Sequence, residues 1–138
     1  EELCWVDAPV PIFGVLTTPT GATPSRPLFI LANAGSVHHV GPNRLYVELS
    51  RQLARHGFPS FRFDLRNLGD SARGSPAEEN HPYPVTAIDD VEAALRWLTQ
   101  LRGFSAVVVG GLCSTLLLTL FALPALSWIL AGRTKDRP

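Results

Sequence analysis

Two short uncharged apolar runs, Leu28-Phe29-Ile30-Leu31-Ala32 and Ala106-Val107-Val108-Val109, constrain this chain more than any other feature. Both are shorter than a typical buried helix, so each predicts a strand covered on both faces, as in a parallel sheet. Helix-period sequence lies between them. After the Gly41-Pro42 break, Asn43 is expected to cap a helix running to about His56, with Leu45, Leu49 and Leu53 as its buried stripe and Tyr46 alongside. Gly57 then closes it. Ser60-Phe61-Arg62-Phe63-Asp64 reads as the next strand, followed by a polar loop over 65–84. Thr86 is the expected N-cap of a second helix. Asp89 and Asp90 favour the positive end of its dipole, Ile88, Val91, Leu95 and Leu98 form its apolar face, and Gly103 stops it. Upstream, 12–17 reads as a further strand, and 19–27 is a turn-rich hairpin or surface loop. Strands and helices thus alternate. That order predicts an α/β fold, a mostly parallel sheet with helices on both faces.

Composition removes several alternatives. The 12 basic and 12 acidic residues balance and form no basic stripe, so no nucleic-acid partner is expected. The two cysteines, Cys4 and Cys113, match no common metal spacing, and neither a metal nor a cofactor is expected. With no charged n-region leading into an apolar stretch, the start carries no visible signal peptide, which favours a cytoplasmic location. At 138 residues the chain can bury one core, but it is short for this class.

The chemistry gathers at Val109-Gly110-Gly111-Leu112-Cys113-Ser114-Thr115, where the last strand hands over to a helix. A nucleophile elbow needs small residues two places either side of the nucleophile so that the backbone can turn sharply. Gly111 satisfies the first place and Thr115 replaces the second glycine, which makes Cys113 the candidate nucleophile. Backbone N–H groups at the following helix start would favour its thiolate. The N–H of Ser114 would be one oxyanion donor. The second is expected from the loop after an earlier strand, Asn33-Ala34-Gly35-Ser36, with the Ser36 N–H ahead of Gly35. A phosphate loop is the competing reading of Gly110-Gly111, and it fails because no lysine follows at the required spacing.

The run from Leu31 through Ala34-Gly35 and Gly41-Pro42-Asn43-Arg44 to Tyr46 resembles the α/β-hydrolases associated with bacterial exosortase systems. So do Phe61-Arg62-Phe63-Asp64-Leu65, Gly69-Asp70-Ser71, Ile88-Asp89-Asp90-Val91 and Gly111-Leu112-Cys113-Ser114. The resemblance covers roughly residues 10 to 114. It implies a hydrolase acting on an ester or thioester, with a small-molecule acyl substrate. Asn67 stands where many such hydrolases have glycine.

In this fold the acid and histidine of the triad follow the nucleophile. Here His38, His39, His56 and His81 all precede Cys113, and Asp136 is the one carboxylate after it. His38 and His39 are expected at the pocket rim. The chain as given is therefore expected to be an inactive N-terminal portion, residues 1–114, joined to an apolar helix and charged tail at 115–138. No charged residue occurs between Arg102 and Arg133. The tail has three readings: the buried helix after the elbow, a membrane contact through 115–132, or unrelated translation joined near Ser114. The last is favoured because the resemblance stops where no domain boundary falls. A non-catalytic or membrane-associated remnant is the alternative to the enzyme.

Overall fold

The computed structural model describes residues 1–21, 26–32, 36–74 and 85–111. In chain order these form β1 (Glu2–Val6), β2 (Ile12–Thr17), β3 (Leu28–Ala32), α1 (Leu45–Arg55), β4 (Ser60–Phe63), α2 (Ala87–Arg96) and β5 (Val107–Gly111). A 3-10 turn at Pro42–Arg44 precedes α1, and a π turn at Trp97–Leu101 extends α2. The strands make one sheet in the order β1-β2-β4-β3-β5.

The sheet is mixed. β3 is parallel to β4 and to β5, while β1 with β2 and β2 with β4 are antiparallel. The five-residue link at 7–11 is too short for a parallel crossover, so β1 and β2 must run in opposite directions. β1 is an element the apolar pattern did not predict. Only Cys4 and Val6 of it are buried, and Leu3 and Trp5 face solvent.

Strand order places the helices. The chain steps from β3 to β4 in one direction, then back across β3 to β5. Two right-handed crossovers of opposite direction put α1 and α2 on opposite faces. Burial agrees. Val6, Ile12, Leu16, Leu28, Ile30, Phe61 and Phe63 form one core with Ala93, Ala94 and Leu98 of α2 and its extension. Tyr46 and Val47 of α1 are buried outside that cluster, where α1 packs on β2 and β4. Gly14 makes room on the α2 face, since a Cβ there would overlap the Phe61 ring. That ring stacks on Phe63 at 5.6 Å and meets Trp97 at 5.4 Å.

Both helix starts differ from expectation. Asn43 does not cap α1; it and Arg44 take left-handed φ values of 51° and 62°. The Gly41-Pro42 turn redirects the chain, and the Tyr46 N–H is satisfied by the Val40 carbonyl at 3.2 Å. The buried side of α1 is Tyr46, Val47 and Ser50, while Leu45, Leu49 and Leu53 are half-buried. Thr86 occupies the N-cap position of α2 but makes no side-chain cap. Ile88 is exposed, and the core is met by Val91, Ala94, Leu95 and Leu98 instead. Gly57 and Gly103 end their helices as expected, with φ of 83° and 73°. No helix among the described residues is long and apolar enough to cross a membrane, and 115–132 lies outside them.

Candidate active site

β4, β3 and β5 run in parallel, so their C-terminal ends share one edge of the sheet. Ala32 is the register partner of Gly111, and the exits of β3 and β5 therefore lie side by side. Asp64, the first residue after β4, organises this edge. It is fully buried. Its Oδ1 accepts the His39 backbone N–H at 2.5 Å. Its Oδ2 faces His39 Nδ1 at 2.7 Å and accepts the Asp70 N–H at 2.9 Å. A carboxylate removed from water costs several kcal/mol unless it is paired, and here three N–H groups supply the pairing. The acceptor opposite Nδ1 assigns the imidazole proton to that nitrogen.

The same residue reaches β2. The Asp64 carbonyl accepts the Ser71 hydroxyl at 2.7 Å, and Ser71 Oγ in turn accepts the Phe13 N–H at 2.8 Å. One aspartate thus ties together the loop after β3, the loop after β4 and the start of β2. Gly69 lets the second loop close over it, because a Cβ there would overlap the carboxylate. Asn67 has a φ of 64°. Asparagine tolerates the left-handed region better than most residues, and its Oδ1 also accepts the Gly74 N–H at 2.7 Å. Arg66 fastens this loop to α2. Its Nη2 lies 2.6 Å from buried Asp90, which also accepts the Arg66 backbone N–H at 2.8 Å. Asp90 therefore serves as a clamp rather than simply a partner of the helix dipole.

His38 and His39 separate in role. His38 is exposed. His39 is 8% exposed, with its ring 5.3 Å from that of Phe13. Ser36 occupies an exposed turn just beyond β3. Gly35, Cys113 and Ser114 lie outside the described residues, as does the boundary at 114/115. Ligand atoms of His39, Asp64 and Asp70 fall within 4.8 Å of one another, so the three could hold a cation. Three N–H groups already engage the Asp64 oxygens, so the geometry favours a loop anchor. Sequence reading missed the Asp64–His39 pair. Its one signal was an aspartate ending an apolar strand.

Est1E from Butyrivibrio proteoclasticus, solved with ferulic acid bound, matches over 78% of this chain with a TM-score of 0.65 at 16% identity. The chain has the α/β-hydrolase fold. An α/β serine hydrolase homologue from Coxiella burnetii matches over 80% of the chain (TM-score 0.61, 21% identity). So does the lidless serine hydrolase XC6422 from Xanthomonas campestris (TM-score 0.55, 20% identity). The chain spans 41%, 50% and 49% of those three chains, half of their length or less. No family model and no curated protein match the chain.

Proposed function

We propose that the chain is part of a hydrolase of the ester-bond class, with Cys113 as nucleophile and the N–H groups of Ser114 and Ser36 as oxyanion donors. The reading rests on the pairing of Ala32 with Gly111. Leu112-Cys113 follows one of these strand ends, and the loop through Gly35 to Ser36 follows the other. A nucleophile and an oxyanion loop need that adjacency. Asp64 and His39 support it by holding the far end of the same loop. In the reaction, the thiolate adds to the acyl carbon and the carbonyl oxygen takes up negative charge facing the two N–H groups. The bond to the alcohol or thiol leaving group breaks, and that group takes a proton. In an intact enzyme, water then cleaves the acyl-cysteine with a histidine from a second half as its base. The neighbours named serine hydrolases carry a different nucleophile type, so a cysteine here is specific to this reading. The exosortase association rests on the sequence resemblance and supplies a small acyl substrate as the expectation.

The test reads acylation rather than turnover. A p-nitrophenyl acyl ester is expected to add one acyl group to Cys113, detected by intact mass and peptide mapping, and Cys113→Ala is expected to abolish it. A folded sample that takes no label would favour the non-catalytic alternative.

A further inference from the structure

A cleft lies at the opposite end of the sheet. Thr17 ends β2 and pairs with Ser60, the first residue of β4, whereas Asp64 follows the last. The cleft beside it has a volume of about 310 Å³ and is lined by Thr17 to Thr20 and by Arg51, Ala54 and Arg55 of α1. Its polar groups are hydroxyls and guanidiniums, with no carboxylate among them. Thr17 is 4% exposed, yet its Oγ1 has no hydrogen-bond partner. Behind it on the same face, the hydroxyls of Ser60 and of Ser50, one turn before Ala54, are also buried and unpartnered. So are Nε and Nη1 of Arg62, a residue only 5% exposed.

Charge points the same way. Residues 26–62 carry five arginines and one glutamate, in a chain whose total charge is zero. Glu1 and Glu48 engage Arg51 at 3.3 Å and 3.6 Å, and Glu1 engages Arg62 at 3.3 Å. Arg55 has no ion-pair partner among the described residues. The C-terminal carbonyls of α1 oppose an anion nearby. Arg26 offsets part of that opposition by donating to the His56 carbonyl at 2.9 Å.

We propose that this cleft binds a phosphate-class oxyanion, held by Arg55 and Arg51 with the Thr17 hydroxyl beneath it. Guanidinium forks and hydroxyl donors suit phosphate oxygens, and the volume accommodates a phosphoryl group with a small substituent. A soluble phosphoester and an anionic lipid headgroup share this chemistry. The site is independent of the proposed acyl chemistry.

Inorganic phosphate is the probe, titrated into the full chain by calorimetry and thermal unfolding at ionic strength matched with sodium chloride. Saturable binding is expected, weakened roughly tenfold or more in Arg55→Ala and in Thr17→Val. Thr17→Val removes an unpartnered hydroxyl, so without phosphate it should be at least as stable as the parent; its lost response then cannot be misfolding. Binding to phosphatidic-acid vesicles that phosphate competes away assigns the headgroup as source, and phosphate binding without vesicle binding assigns a soluble phosphoester. A response no larger than that to chloride, or one unchanged in both variants, overturns the proposal.

Discussion

Asp64 accepts N–H groups from two separate loops while fully buried, so its charge and its shape are both in use. Asp64→Asn keeps the volume but replaces one acceptor with an NH2 group facing donors. We expect it to destabilise the chain by roughly 3 kcal/mol in urea unfolding, since hydrogen bonds to a buried charge are among the costlier to lose. A loss below about 1 kcal/mol would mean the carboxylate is not the tie between the loops. Asn67 tests backbone conformation separately from bonding. Its left-handed φ disfavours Asn67→Ala by about 1–2 kcal/mol, beyond the lost bond to Gly74 that Asn67→Gly shares. Equal losses in the two variants would remove the φ argument. Little of this network was legible in the sequence. Residues 39 and 64 are far apart along the chain, and local pattern carries no information about which buried aspartate meets which histidine. Gly69-Asp70-Ser71 stood out as a motif, but its reason, a loop closing on a carboxylate, exists only in three dimensions.

At the scale of elements, apolar runs and glycines located β2, β3, β4 and β5 and both helices, because strand burial on two faces leaves a strong signal. The face of α1 was shifted by about one residue, since a left-handed turn at Asn43 and Arg44 replaced the expected cap and reset where the helix begins. β1 was missed because an edge strand buries only alternate residues of five. Two predictions concern these packed layers. Gly14→Ala forces the Phe61 ring out of its stack, at a cost of about 1–3 kcal/mol. Combining it with Phe61→Leu should cost clearly less than the sum of the single changes, and strict additivity would show the two residues are uncoupled. In β1, burial first and the Glu2 charge second raise the Cys4 thiol above its ordinary value of 9.0. A raised folded value means the stabilising contribution is complete below the unfolded value and is lost as pH rises through the folded one. The urea midpoint should therefore fall as pH rises past the thiol's ordinary value of 9.0, and Cys4→Ala should flatten that fall. An identical fall in both proteins would trace the alkaline instability to another group.

At the scale of the whole molecule, two forces could draw copies of the chain together, and salt separates them. The first is charge. The α1 face is rich in arginine, while α2 on the opposite face presents Asp89 and Glu92 against Arg96, so among the described residues the two faces differ in charge. Contacts between such faces weaken as ions screen them, with a Debye length near 10 Å at 0.1 M salt. The second is the sheet edge. Among the described strands β5 ends the sheet beyond β3, and Val108 and Val109 are 44% and 50% exposed. An apolar strand with unpaired backbone groups is a template for another strand, and salt does not weaken that pairing. Among the described residues the edge presents both backbone and side-chain surface in one place, whereas the charges on each helix face are spread and partly paired. We therefore expect sedimentation velocity to show association that grows with protein concentration and persists at 0.5 M sodium chloride, about the concentration at which the charged contacts are largely screened. Val109→Lys should shift the distribution toward monomer without lowering the urea midpoint, because an exposed edge accepts a lysine. Dissociation by salt alone, with Val109→Lys behaving as the parent, would assign the contact to the charged faces and leave β5 without a part in it.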